Sequence, residues 1–350
     1  MSQKNILGCL LGTAVGDSIG LPYEGIPPQR ASKMFGLADR HRFVFGRGMI
    51  SDDTEHTCMV AQSLIASGFD VDLFTKKFAW RLRFWLMKLP AGTGMATMRA
   101  ILKLWMGFSP HKSGVFSAGN GPAMRSAILG ATIDDPKLLR QLVKASTTIT
   151  HSDPKAEYGA YAVALAAQMS RQFEIVSIDT YINQLKEDLG PEGNDLINLI
   201  TSAANSSKKG ETTESFAISM GLSKGVSGYV YHTVPIALHA WFSHPRDIKL
   251  AIISAIKCGG DADTVAAITG GIIGCAVGKE GIPKEWLDNL IDWPQSINWI
   301  EKLSHQLSTC ANSPLKVKPI KLPLWGILPR NLLFLMIVLL HGLRRLLPPF

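Results

Sequence analysis

Apolar residues recur along this chain at the three-to-four-residue spacing of buried helix faces. Phe74, Phe78, Leu82 and the pair Trp85 and Leu86 fall on one stripe, and Val265, Ile268, Ile272 and Ala276 on another. This periodicity predicts amphipathic helices, and the alternating β-branched or aromatic runs that mark strands are scarce. Small residues fill long parts of the predicted helices, from Ala160 to Ala167 and from Ala266 to Gly274, which lets neighbouring helices approach closely. The pattern predicts an all-α fold, a compact multi-helix domain over residues 1–307. Breaks rich in Gly, Pro, Ser or Asn fall at 22–30, 90–94, 108–120 and 205–214.

The pattern changes towards the C-terminus. Residues 308–323, rich in Ser, Pro and Lys, predict a linker, and residues 324–350 a basic, apolar helical tail. Within the tail, Leu332 to Leu340 is an uninterrupted apolar run flanked by Arg330 and by Arg344 and Arg345. A spanning helix needs about 20 apolar residues, so the run is expected to be too short to cross a bilayer. Two readings stay open: a helix docked on the main domain, or a peripheral anchor whose basic flanks meet anionic headgroups. The length of 350 residues allows either two domains or one large helical one.

Charge sharpens the division. The formal net charge is +8, and residues 314–350 contribute Lys316, Lys318, Lys321, Arg330, Arg344 and Arg345 with no acid. The remainder is nearly neutral, without the basic stripe that displaces phosphate counterions, so no nucleic-acid partner is expected. The aromatic stretch from Trp80 to Trp105 sits at helical spacing and is expected to face the core rather than stack on bases. Five cysteines without C-x-x-C or paired-His spacing predict neither a disulfide framework nor a structural zinc site, in keeping with a reducing, cytoplasmic compartment. Lys4 before Ile6-Leu7-Gly8-Cys9 has the look of a secretion signal, but Asp17 follows too soon, and a cytoplasmic helix is expected. Oligomeric state is not legible.

Candidate chemistry lies where helices should begin. Ser51-Asp52-Asp53-Thr54-Glu55 has the form of a capping box, Gly259-Gly260-Asp261-Ala262-Asp263-Thr264 opens the periodic helix from Val265, and His151-Ser152-Asp153-Pro154 offers a cap followed by proline. Ordinary capping is one reading of all three segments, and for Asp153 it stands level with a functional one. It accounts less well for the first two segments, because a second carboxylate beside the first adds repulsion that the helix dipole only partly offsets. A divalent cation removes that repulsion, and two acid pairs, each followed by a hydroxyl residue, suit hard ions such as Mg²⁺ or Mn²⁺. An isoprenoid synthase would also be helical and Asp-rich. It needs D-D-x-x-D/E, however, and His56 stands where the final acid should fall.

These segments, in order, are similar to those of the ADP-ribosylglycohydrolase family. The likeness runs through Gly12 to Glu24, Ser51 to Glu55, Gly119 to Arg125, His151 to Pro154, Gly228 to Ala240 and Gly259 to Thr264. It implies an all-helical fold with two Mg²⁺ or Mn²⁺ ions in a central cleft, held by Ser51, Asp52, Asp53, Asp261, Asp263 and Thr264. It implies that Glu24 is a mobile acid beside the scissile ribose, and that Gly119, Asn120 and Gly121 receive a diphosphate through backbone N–H groups at a helix start. His151 would contact the distal ribose or the leaving group. His56 replaces a methionine common in the family and is expected to be a satisfied core histidine.

The implied reaction is hydrolysis of the C1″ glycosidic bond of an ADP-ribosylated protein or a small ADP-ribosyl conjugate. An oxocarbenium-like centre develops as water arrives on the opposite face; the ions orient the ribose hydroxyls and ease deprotonation of the water, and Glu24 or Asp261 takes the proton. The alternative is a non-catalytic ADP-ribosyl-binding or structural member of the same fold. Selectivity for the leaving group is expected from loops at 90–94 and 108–120.

Overall fold

The computed structural model describes residues 2–313 and 316–349; Met1 and Phe350, at the two ends of the chain, and Pro314 and Leu315, within the expected linker, lie outside the described residues. Among those described, the regular structure is helical, and extended backbone occurs only as isolated bridges such as Ile26 with Gly260. The helices that frame the site and the core are α1 (Gln3–Gly20), α2 (Asp52–Ser67), α3 (Val71–Leu86), α4 (Met95–Trp105), α5 (Pro154–Gln172), α6 (Val230–Ser243), α7 (Ala262–Val277), α8 (Ile297–Asn312) and α9 (Leu324–Arg344).

The centre of the domain is the antiparallel pair α1 and α7. Gly8, Gly12 and Gly16 of α1 lie against Gly274, Gly270 and Ala266 of α7, and a Cβ on any of the three glycines would overlap the facing carbonyl oxygen. The two backbones therefore touch without intervening side chains, which is the physical use of the small-residue runs. α1 is apolar almost throughout and long enough to cross a membrane, yet 94% of that stretch is buried inside the domain, as the central helix of a globular core must be. α5 uses the same device, with Gly130 set directly over the Ala164 carbonyl.

Three expectations are corrected. α8 runs to Asn312, because Leu303, Leu307 and Cys310 continue its buried stripe, so Ser308 is helical and the linker starts later than expected. The tail helix α9 has 21 residues, long and apolar enough by length and composition alone to cross a bilayer, which overturns the estimate from the Leu332–Leu340 run. Of the aromatics from Trp80 to Trp105 only Trp85 is buried, whereas Trp80, Phe84 and Trp105 are 56%, 39% and 45% exposed; the core-facing stripe of α3 runs through Phe74, Phe78, Leu82 and Trp85. The outward three stack edge-to-face on one another, with the Arg83 guanidinium over Trp80.

α9 is docked on the domain through one face. Arg330, 8% exposed, forms ion pairs with Glu55 at 3.2 Å and Asp292 at 2.5 Å and donates to the Ile50 carbonyl. Asn331 donates to the Lys88 carbonyl at 2.8 Å, His341 meets the Phe43 carbonyl at 2.7 Å, and Phe334 closes a small core with Leu21, Phe43 and Met49. The opposite face, including Trp325, Leu332, Met336, Leu339 and Leu343, is exposed.

Candidate active site

The α1–α7 seam decides where the acids meet. Because the helices are antiparallel, the end of α1 lies at the start of α7: a Cβ on Gly20 would touch the Asp263 backbone. After Gly20 the chain makes a turn at Leu21–Tyr23 and presents Glu24. The next N–H, of Gly25, donates to the Gly260 carbonyl at 2.6 Å, and Gly260 returns its own N–H to Ile26 at 3.0 Å. Gly259 and Gly260 have φ of +64° and +72°, and Cβ atoms there would strike Ile26 and Val226. The room these glycines leave is taken by the protein's own backbone, which clamps Glu24 to the start of α7.

Asp17, whose role was not read from the sequence, joins the third element. Fully buried in α1, its Oδ2 accepts from Ser51 N at 2.9 Å, Thr54 N at 3.2 Å and Thr54 Oγ1 at 2.5 Å. An acid from another helix thus caps α2 and holds its first turn against α1. The signal available was an aspartate inside an otherwise apolar helical run, which needs a buried partner. Ser51 is the N-cap of α2, accepting from Asp53 N at 3.4 Å. Glu55 does not close the expected capping box; it turns away to Arg330 and to Trp85 Nε1 at 2.5 Å.

The two acid pairs meet. Thr264 Oγ1 lies 3.3 Å from Asp53 Oδ2, as does Ser51 Oγ, so the start of α7 and the start of α2 share one carboxylate. Asp52, Asp261, Asp263, Thr264 and Glu24 line one cleft of about 520 Å³, with Ser51 and Asp53 buried behind them. Asp261 is the N-cap residue of α7 but makes no side-chain capping bond; its Oδ2 accepts from Asn120 Nδ2 at 2.5 Å. By contrast, Asp153 is an ordinary cap, accepting from Lys155 N at 2.9 Å, which decides between the two readings left open for it.

The charge of this cluster is not balanced. Burial raises the carboxyls of Asp52, Asp53 and Asp263 well above their ordinary values, and neighbouring carboxylates push each further up. Burial brings Asp17 to about 6 against the hydrogen bonds it accepts. Glu24 is raised by burial and by Asp261, with Arg345 opposing. Among the described residues none of these acids has an ion-pair partner, and Asp17 Oδ1, Asp53 Oδ1 and Asp263 Oδ1 are buried without a hydrogen bond. Buried carboxylate oxygens left without a partner suit a hard cation. The side chains are not drawn together around a point: among the described residues no three of His, Cys, Asp and Glu are grouped closely enough to enclose an ion.

The opposite wall holds the other expected residues. Gly119, Asn120, Gly121 and His151 all line the cleft. Cβ atoms on Gly119 and Gly121 would come within 2.9 and 3.2 Å of the His151 ring, so the glycines admit the imidazole. Burial, aided by the Arg125 charge, lowers His151 to about 3, and its Nδ1 lies 2.8 Å from Thr150 Oγ1. His151 is therefore neutral at pH 7. The backbone donors assigned to a diphosphate are partly engaged within the loop: Gly119 N donates to Ser117 Oγ and Asn120 N to the Gly228 carbonyl. The helix that follows is only Gly121–Met124, and Arg125 lies beyond it, fully buried. His56 is a core residue as expected, edge-on to Trp85 and 3.3 Å from Arg125, but only half satisfied, since its Nε2 has no partner.

This is an all-α domain with a carboxylate-lined cleft where helix starts converge. The chain belongs to the ADP-ribosylglycohydrolase family, whose sequence model matches residues 2–314. It is 28% identical over 296 residues to the ADP-ribosyl-[dinitrogen reductase] glycohydrolase of Rhodospirillum rubrum, covering 81% of this chain and 89% of that one. Against ADP-ribosylhydrolase ARH3 of Gallus gallus it is 28% identical over 333 residues, with 80% and 87% covered. An uncharacterized protein of Archaeoglobus fulgidus is 29% identical over 297 residues, with 83% and 92% covered. Among solved structures, an ADP-ribosylglycohydrolase-related protein complex superimposes with a TM-score of 0.61 at 26% identity, covering 88% of this chain and 98% of that one.

Proposed function

We propose that this protein is a Mg²⁺- or Mn²⁺-dependent hydrolase that cleaves the C1″ glycosidic bond of ADP-ribosyl conjugates. The observation that carries the reading is the contact of Thr264 with Asp53, which joins two acid pairs distant in sequence around orphaned carboxylate oxygens. Ser51, Asp52, Asp53, Asp261, Asp263 and Thr264 would hold two ions, which when bound offset the mutual repulsion of the acids and orient the ribose hydroxyls. Glu24, on a turn clamped to Gly260, takes a proton from the attacking water at C1″. Asn120 fixes the Asp261 carboxylate, and neutral His151 offers a ring nitrogen to the ribose or the leaving group.

The alternative is an ADP-ribosyl binder without turnover; the presence of both acid pairs at one cleft weighs against it. Turnover of defined ADP-ribosyl conjugates, with Mg²⁺, Mn²⁺ or chelator, tests the choice. Asp53→Asn and Asp263→Asn should each fold, melt near the wild type and lose at least about a hundredfold in kcat/KM, because such units act together. Near-wild-type turnover in either variant rejects the two-ion scheme, and tight ADP-ribose binding with no turnover of any conjugate favours the binder. The five free, buried thiols support a reducing, cytoplasmic setting. The exposed apolar face of α9 and the acid-free 314–350 segment support peripheral contact with an anionic bilayer.

A further inference from the structure

The hairpin of α3 and α4 carries a second surface of one-sided charge. Between Asp72 and Asp134 the sequence has Lys or Arg at nine positions and no Asp or Glu, the same bias as in residues 314–350. The outward rings of Trp80, Phe84 and Trp105 stand on this hairpin. Exposed Lys76 and Lys77 precede Trp80 by one helical turn, which puts them on its side of α3. The loop after α3 adds exposed Met87 and Leu89, and α4 opens on exposed Met95.

The two acid-free segments adjoin. Trp80, Phe84 and Lys88 form one bank of a groove of about 170 Å³, and Leu322, Ile327 and Asn331 of the tail form the other. At the start of α9, Trp325 packs on Trp293, with ring centroids 5.0 Å apart and both rings exposed, and the apolar outer face of the helix continues from there. The loop after α3 joins this face to the acidic cleft. Asn331 holds the Lys88 carbonyl at one end of the loop; at the other, Gly92, Gly94 and Met95 line the cleft, and a Cβ on Gly92 would stand 3.6 Å from Asp52 Oδ1.

A surface of indole rings, methionines and leucines, bordered by Lys and Arg alone, has the chemistry of an anionic bilayer's headgroup region, where indoles settle and basic side chains meet phosphates. A second copy would set two faces of like charge against each other. A single-stranded nucleic acid would find the outward rings already stacked on one another, and would leave the aliphatic face of α9 uncovered. Lifting α9 away to cross the bilayer would strip Glu55 and Asp292 of the Arg330 ion pairs that hold it, so the helix lies along the surface.

We propose that the α3–α4 hairpin is the second arm of a membrane-docking face, and that docking through both arms sets the rim of the acidic cleft at an anionic bilayer, beside ADP-ribosyl groups displayed on that surface. The proposal rests on the peripheral contact proposed above for the tail. Contact through α9 alone leaves the domain free to roll about the helix axis. The hairpin, on the far bank of the groove, removes that freedom and brings the loop from Met87 to Gly94 down to the headgroups.

The test uses the full chain with phosphatidylserine or neutral phosphatidylcholine vesicles and needs no turnover. Trp80→Ser with Trp105→Ser, and separately Lys76→Glu with Lys77→Glu, should melt near the wild type and partition onto phosphatidylserine vesicles about tenfold or more weakly. The native thiols are buried, so an environment-sensitive fluorophore can be placed on Leu89→Cys, where phosphatidylserine vesicles should shift its emission to the blue. The same label on Ile175→Cys, exposed beside Glu174 and outside both segments, should not shift. Release by Leu332→Ser, Leu339→Ser and Leu343→Ser together, with hairpin variants that partition like the wild type or a Leu89 label that does not shift, overturns the hairpin's part and leaves the tail's contact standing. A wild type that ignores phosphatidylserine vesicles removes both, and its retention on a single-stranded oligonucleotide instead assigns the face to nucleic acid.

Discussion

Individual side chains in this molecule show how a buried polar group reveals its purpose by what it touches. Asp153 accepts a helix N–H and is fully explained; Asp261 stands at a helix start, declines that bond and faces the cleft. Outside the site, His239 stacks on Phe216, with Thr213 Oγ1 at 3.1 Å and Ser206 Oγ at 3.2 Å from its ring nitrogens, and burial lowers it to about 4. A depressed histidine contributes stability above the unfolded value near 6.5 that is lost as pH falls towards the folded value. Between pH 7 and pH 5 this amounts to about 2 kcal/mol. Urea unfolding of wild type and His239→Gln should therefore differ by about 2 kcal/mol less at pH 5 than at pH 7; a constant difference would show that the imidazole titrates in the folded protein as it does in the unfolded chain. Asp52, Asp53, Asp261 and Asp263 were legible as doubled acids at helix starts. Asp17 was not, since a single aspartate in an apolar run does not name its partner, and Glu55 was misread because its partner Arg330 is 275 residues away.

Among the elements, the α1–α7 seam carries the most. Gly8, Gly12, Gly16 and Gly20 are spaced by four, so they form one ridge along α1, and each meets the backbone of α7. Gly12→Val would force two backbones apart along the whole seam, and a loss of at least about 3 kcal/mol, or failure to accumulate as soluble protein, is expected in thermal and chemical unfolding. A melting temperature unchanged from the wild type would mean that the helices slide freely. The abundance of small residues made close packing legible from the sequence. Which helices paired was not, because glycines state how near a neighbour comes but carry no label for it. The reach of α9 was also hidden: Arg330 and Asn331 interrupt the apolar run in the sequence, while in the fold their bonds to Glu55, Asp292 and Lys88 let the helix continue through them.

At the level of the whole molecule, a family domain ending near residue 314 carries a tail with two different faces. The inner face is fixed by the Arg330 ion pairs; the outer one leaves Leu332, Leu339 and Leu343 between 49% and 60% exposed. Co-sedimentation should bring the full chain down with phosphatidylserine vesicles and not with neutral phosphatidylcholine, and Leu332→Ser, Leu339→Ser and Leu343→Ser together should leave it in the supernatant. Equal sedimentation of wild type and triple variant would end the case for the lipid surface. The glycine ridge has one more effect. With no rotamers in the seam to absorb a misfit, Glu24 and the acids of α2 and α7 keep their spacing only while three strands of chain move as one, so gradual change in what the protein acts on has its freedom at the periphery, in the loops and the tail, and almost none at the hinge of the chemistry itself.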